Sequence, residues 1–268
     1  MREFLGLTGH PWSSILLIVF LRYLLLASVA YLVYYVWKKK AWSWKKIQER
    51  FPERTDYLRE FLYSLSTTVI FGTLGYLFFF GPIAPYTKVY RDLSAYSPGY
   101  FFGSVALTLL VHDAYFYWTH RAMHHPLLFP LFHKVHHLST NPSPWAAMAF
   151  HPLEAVVEFG IIALVPFLYP IHPLAIALFL LIMMIYNVYG HLGYELYPKG
   201  FATSVVGRWI NTSVNHNQHH QYFKGNYGLY FLWWDRWMGT LRADYEERFD
   251  QVKGRRETLP AEGGQSPG

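Results

Sequence analysis

The 268 residues are 53% hydrophobic and 20% aromatic but only 15% charged, well below the quarter or so of charged residues in an average soluble domain. No cysteine is present, which excludes disulfides, thiolate-ligated zinc, iron–sulfur clusters and a thiol nucleophile. The net charge of +6 does not point to nucleic acid, because Lys and Arg gather beside apolar segments, as the cytoplasmic flanks of membrane helices do.

A short polar lead, Met1 to Trp12, precedes Ser13 to Trp37, which is long enough to span a hydrocarbon core of about 30 Å. Arg22 interrupts it, and a charge at that depth must snorkel or pair. The run is too long for a cleaved leader and no small-residue cleavage site follows it. Instead comes KKKAWSWKKIQER (Lys38 to Arg50), whose basic character puts it in the cytoplasm and the N-terminus outside.

Leu58 to Pro82 is a second span leading away from the cytoplasm, and Ile83 to Gly99 is a loop on the far side. Tyr100 to Thr119 returns and delivers His120 to the cytoplasmic face. Leu138 to Phe150, rich in Pro and Asn, reads as loop. Leu153 to Pro170 and Pro173 to Gly190 form a helical hairpin, spanning or re-entrant, that brings His191 back to the same side. Gly200 to Thr240 is a compact aromatic cap, Arg242 to Phe249 is charged, and Gln251 to Gly268 lacks an apolar pattern.

The expected fold is therefore all-α: a multi-pass integral membrane bundle of four to five spanning or re-entrant helices under a cytoplasmic, histidine-rich helical cap. Its divisions are an N-terminal transmembrane region (1–99), a catalytic domain (100–249) and a disordered tail (250–268).

Thirteen of the fourteen histidines fall between His112 and His220, seven of them between His112 and His137. On a helix advancing about 100° per residue, Asp113, His120 and His124 share one stripe. His120 and His124 read as metal ligands, and Asp113 as the carboxylate that takes a ligand's ring proton. His112 lies off the stripe, and so does His125. His133, His136 and His137 have the i, i+3, i+4 spacing of one helix face, and His216, His219 and His220 repeat it. His191 is a ninth ligand candidate, four residues after Asn187. His151 and Glu154 are either supports for the ligands or the N-cap region of the hairpin, while His172 belongs to the outer turn and is structural.

A lone histidine is more often a hydrogen-bonded core residue than a ligand. So many convergent imidazoles, however, would repel one another if protonated and need something to bind if neutral. Eight or nine nitrogen donors exceed what one ion takes and suit two. An all-nitrogen set separates iron from zinc poorly by affinity, but iron is favoured if the task is redox, since zinc has no accessible redox state. No HExxH motif for zinc hydrolysis occurs.

The order HxxxH (His120, His124), HxxHH (His133 to His137), HxxHH (His216 to His220) resembles the sterol desaturase and fatty acid hydroxylase superfamily over about Asp113 to Gly239. DAYFYWTHRAMHHP, FHKVHH, SPWAAMAFHPLE and NHNQHHQYFKGNYGLYFLWWDRWMGT look like its sterol C5-desaturase branch. The resemblance implies a membrane-embedded oxidoreductase with two iron ions and O2 as co-substrate, hydroxylating or desaturating a sterol-like, fatty acyl or isoprenoid lipid. The alternative is a zinc-containing membrane hydrolase or metal-binding protein on the same scaffold. Asn215 stands where that branch often has a further histidine, and Asn187 where fatty acid hydroxylases tend to carry one. No HPGG segment of a cytochrome b5-like domain is present, which implies a separate electron-donor protein, cytochrome b5-like or ferredoxin-like.

Overall fold

A computed structural model describes residues 10–256. Helices account for the regular structure of these residues, which contain only isolated β-bridges. The chain enters α1 (Pro11–Tyr31) with proline in its first turn, where the missing N–H costs nothing, and the His10 ring accepts from the Trp12 amide at 3.4 Å. The helix loosens into a π-helical segment (Leu32–Trp37) before the basic stretch. A capping box between Glu53 and Asp56 starts α2 (Arg54–Phe79). α1 and α2 approach closely at Gly72, where a Cβ would come within 3.0 Å of the Leu16 backbone. Small residues at such crossings let two membrane helices meet along their backbones.

α3 (Pro98–Met123) follows, capped by Ser97, and then the four-residue α4 (Phe129–Phe132). The hairpin is α5 (Pro152–Leu168) and α6 (Pro173–Gly190), each opened by a histidine N-cap and a proline. His172 caps α6, its ring taking the Leu174 amide at 3.1 Å, which is a structural role. Among the described residues, Pro11–Trp37, Arg54–Phe79 and Pro173–Gly190 are long and apolar enough to cross a membrane.

The cap consists of α7 (Ser213–Tyr222), α8 (Trp233–Trp237) and α9 (Tyr245–Gly254). The basic stretch packs onto it. The Ile47 amide donates to the Gly193 carbonyl at 3.0 Å, and the Gln48 amide reaches the Thr140 carbonyl at 2.8 Å and Asn217 Oδ1 at 2.9 Å. Lys38 to Arg50 and the cap thus share one end of the bundle.

Two expectations are corrected here. The tail does not begin at residue 250, because α9 continues to Gly254. Tyr245, Phe249 and Val252 are fully buried, packed with Ile47, Val214 and Leu232. Their i, i+4, i+7 spacing is a helical stripe hidden among charges. The rest of the expected tail, 257–268, and most of the N-terminal lead, 1–9, lie outside the described residues. Nor do His133, His136 and His137 share a helix. α4 stops at Phe132, and the chain passes through turns into a 3-10 segment (His136–Leu138).

Candidate metal centre

At the end of the bundle where α3 and α6 finish, nine imidazoles gather in two groups. His120, His124, His133, His137 and His219 form one; His136, His191, His216 and His220 form the other. Within each group one ring nitrogen per residue lies within 4.8 Å of all the others. The sequence spacing explains the division. Pairs four apart stay together: His120 with His124, His133 with His137, His216 with His220. The third member of each HxxHH box, His136 or His219, crosses to the other group, so both boxes bridge the two.

The smaller group centres on His191. His191 Nε2 lies 3.2 Å from His136 Nε2 and 3.1 Å from both His216 Nε2 and His220 Nε2, and the last two are 3.2 Å apart. In the larger group, His219 Nε2 is 3.1 Å from His124 Nε2 and 3.0 Å from His137 Nε2. Gly190 makes room for this convergence, since a Cβ there would press on the His216 ring at 3.3 Å.

The opposite ring nitrogens fix the tautomers. His191 Nδ1 donates to the Asn187 carbonyl at 2.8 Å and His220 Nδ1 to the Ser139 carbonyl at 3.0 Å. His120 Nδ1 donates to the Tyr227 carbonyl at 2.9 Å and His219 Nδ1 to the Gly225 carbonyl at 2.7 Å. His133 Nδ1 meets Glu154 Oε1 at 2.6 Å. A carbonyl oxygen can only accept, so in the first four of these rings the proton is on Nδ1 and Nε2 presents a lone pair. Lone pairs facing each other at about 3 Å repel unless a cation lies among them. With metal–nitrogen bonds of about 2.1 Å, adjacent donors of one ion stand roughly 3.0 to 3.4 Å apart, which matches these separations. His133 Nε2, buried without a protein partner, faces the same way. The donor set fits transition-metal ions, one per group.

Burial, reinforced by neighbouring imidazoles, pushes His136, His137, His216, His219 and His220 well below the ordinary histidine range, and burial lowers His191 to about 4. A neutral imidazole is what a metal needs. The unfolded chain, with values near 6.5, therefore takes up protons before the folded one does. Folding stability is expected to fall as pH drops from about 7 toward about 4. Melting of the chelator-treated protein should show it: a midpoint unchanged between about pH 7.5 and about pH 5 would contradict this.

The carboxylates divide differently from expectation. Glu154 supports His133. Asp113 accepts from no imidazole among the described residues. It accepts from the Tyr230 amide at 2.9 Å, the Phe231 amide at 3.2 Å and Trp233 Nε1 at 2.5 Å, tying α3 to the cap. The helical stripe placed Asp113 on the right side of α3, but the backbone amides of the 230–231 turn reach it first. His112 binds the Tyr230 hydroxyl through Nδ1 at 2.9 Å, away from both groups. His151 is the N-cap of α5, its Nδ1 accepting from the Leu153 amide at 3.3 Å, and not a support for a ligand. His125 Nδ1 likewise takes the Leu127 amide at 3.3 Å and stays outside. Asn187 holds His191 through its carbonyl, while its side-chain amide donates to the Ala147 carbonyl at 2.6 Å. Asn215 is buried but joins neither group.

Two further carboxylates support the site with no motif to announce them. Glu195 receives the Val214 amide at 3.0 Å and the Tyr189 hydroxyl at 2.9 Å, placing a carboxylate at the positive N-terminus of α7. Asp235 accepts from Tyr227, Gly228 and Thr240 at 2.7 to 2.9 Å, which sets the Tyr227 carbonyl under His120.

Beneath the histidines an apolar cavity of about 520 Å³ lies among α1, α2, α5 and α6. Met148, Phe150 and Asn187 line its upper end, and the Phe150 ring stands 5.2 Å from that of His136. Its lower end reaches His172 and the loop at Arg91 and Asp92, so it follows α6 for nearly its whole length, roughly 20 Å at 1.5 Å per residue.

A family model described as fatty acid hydroxylase matches residues 105–240. The lathosterol oxidase of Homo sapiens is 30% identical over 186 residues, 69% of this chain and 60% of that protein. A Delta(7)-sterol 5(6)-desaturase of Schizosaccharomyces pombe is 31% identical over 230 residues, 86% of this chain and 66% of its own length. One from Gibberella zeae is 31% identical over 174 residues, 63% and 51% respectively. The chain thus spans about half to two thirds of the length of these curated relatives. No solved structure matches it.

Proposed function

The chain belongs to the fatty acid hydroxylase family, and on that premise we propose that it is a membrane oxidoreductase that hydroxylates or desaturates a lipid at a C–H bond. Two iron ions, one per histidine group, supply the O2 chemistry when bound, with electrons from a separate donor protein. The observation that carries the reading is the convergence of nine buried imidazoles in two groups, with hydrogen bonds that leave their Nε2 lone pairs facing inward.

The chain's own residues do four things. Nine histidines bind the ions. Glu154 and the carbonyls of Ser139, Asn187, Gly225 and Tyr227 orient five of the nine rings, fixing which nitrogen points inward. Asp113 and Asp235 anchor the cap segment over the site. The apolar cavity below takes the lipid and keeps bulk water from the reacting carbon. The basic stretch Lys38 to Arg50, packed against the cap, supports a cytoplasmic placement of the whole site, where reductant is at hand.

The test is metal analysis of the purified protein together with mass spectrometry of lipids from cells with and without it. Two irons per chain, and an O2-dependent lipid that has gained one oxygen atom or lost two hydrogens, are expected. Zinc alone, with product formed in the absence of O2, would overturn the reading in favour of a hydrolase.

A further inference from the structure

The lipid-facing side of the first membrane helix runs to the end of its π-helical segment, where Val36 and Trp37 are 59% and 72% exposed. The basic stretch that follows turns back at once. The Trp42 amide donates to the Lys38 carbonyl at 2.9 Å, and the Trp42 ring lies 5.0 Å from that of Tyr34 inside the π-helical segment. Its cations therefore stay level with the last turn of a spanning helix, at the depth where tryptophan and lysine meet lipid head groups.

Cations and rings alternate from there into the cap. Lys38 Nζ stands 4.3 Å from the Trp37 ring and 6.0 Å from that of Trp42, and Lys45 Nζ stands 4.7 Å from Trp42 and 5.1 Å from Trp44. Two more cations reach Trp44 from the other end of the chain, Lys253 Nζ at 4.8 Å and the Arg256 guanidinium at 5.3 Å. A ring face attracts cations but carries no net charge to neutralise them. Among the described residues no carboxylate pairs with Lys38, Lys45 or Arg256. Glu49 pairs with Arg255 at 3.6 Å, and Glu195 already accepts from Tyr189, Tyr197 and Val214. The cations consequently oppose one another. Burial, and then the Arg256 charge, push Lys45 below the ordinary lysine range; burial does the same to Lys253, where Glu195 opposes the shift and Lys45 and Arg256 add to it.

We propose that this cluster, centred on Lys45 and Arg256 beside the Trp44 ring, binds the head group of an anionic phospholipid of the cytoplasmic leaflet. Clusters of four to eight Lys and Arg just inside a membrane helix attract such lipids. Here Lys38, Lys39, Lys40, Lys45, Lys253 and Arg256 make one, assembled from two distant parts of the chain. Charge alone would equally suit an acidic protein. The exposed Val36 and Trp37 at the cluster's edge decide for a lipid, which brings acyl chains to cover them along with the anion. The site rests on the membrane placement of the first helix and is independent of the oxidation reading. It also bears on the metal centre, because Ile47 and Gln48, next to Lys45, hold Gly193 and Asn217. A head group bound here braces the segments that carry His191, His216 and His219.

Equilibrium binding of dioleoyl phosphatidylserine and dioleoyl phosphatidylcholine to the purified protein in a neutral detergent tests this. At about 0.15 M salt phosphatidylserine is expected to bind at least about tenfold more tightly, with the gap narrowing toward about 1 M as the charges are screened. Phosphatidylserine should also raise the melting temperature, and phosphatidylcholine should not. Lys45→Gln combined with Arg256→Gln should bring the two lipids within about twofold of each other and abolish the rise. Lys45→Arg combined with Arg256→Lys keeps the charges and should keep the preference, which separates loss of the site from loss of the fold. Arg208→Gln combined with Lys224→Gln removes the same charge from exposed positions elsewhere on the cap and should also keep it. The proposal falls if phosphatidylserine is not preferred, or if the Arg208 and Lys224 pair loses the preference as fully as the Lys45 and Arg256 pair. It falls too if inorganic phosphate displaces phosphatidylserine at equal concentration, which would make this a site for free phosphate. Polyglutamate binding more tightly than phosphatidylserine would assign the surface to an acidic protein and overturn it likewise.

Discussion

Replacing His191 with alanine is expected to release about one metal ion per chain and to lower lipid oxidation at least 100-fold, the upper end of what losing even an outer-shell partner of a metal ligand costs. His191 is the hub of its group, since its Nε2 lies within 3.2 Å of Nε2 on each of the other three members. Removing it leaves three donors of four and opens a gap beside buried lone pairs. His124 makes the contrast. It is the least buried of the nine and belongs to the group of five, so four donors remain when it is lost. His124→Ala should therefore retain more metal and more activity than His191→Ala. Elemental analysis beside product mass spectrometry decides the matter. A His191→Ala protein that keeps both ions would mean His191 is a packing residue.

That His191 belongs with the boxes at all was legible only through topology. It stands alone in sequence, and what recommended it was the even number of passes that returned the chain to the first cluster's side. The apolar runs were legible because length and composition are all that membrane spanning demands of a helix. The gathering of histidines was legible because few packing needs produce such density. The assignment of each histidine to a group was not, because it depends on rotation about helix axes and on turns. His133 and His137 pair although no continuous helix joins them, and His219 and His220 part although they are neighbours on α7. The supporting carbonyls of Ser139, Gly225 and Tyr227 were invisible for a deeper reason: every residue has a carbonyl, so nothing in the side chains marks the ones that matter. α9 was missed because Tyr245, Phe249 and Val252 make a stripe only three residues long amid charged neighbours.

Glu154→Ala is expected to weaken metal binding 10- to 100-fold, the usual cost of losing a ligand's outer partner. The effect should be confined to the group of five, because Glu154 Oε1 meets only His133, at 2.6 Å. Chelator titration should then resolve one weakened ion and one unchanged ion, with oxidation falling in step with the first. Glu154→Gln keeps an oxygen acceptor for Nδ1 but loses the charge, so it should fall between alanine and the native protein. Asp113→Asn provides the comparison that separates orientation of a ligand from support of the fold. Both carboxylates are fully buried and both come from helices that border the site, yet Asp113 spends its oxygens on the 230–231 amides and Trp233. Its loss should lower the melting temperature while leaving the affinity of both ions within a few-fold of native, since no imidazole depends on it. If instead Asp113→Asn weakened one ion as Glu154→Ala does, the position of a carboxylate on the histidine stripe would matter more than the hydrogen bond it makes, and the orienting role assigned to Glu154 would lose its physical basis.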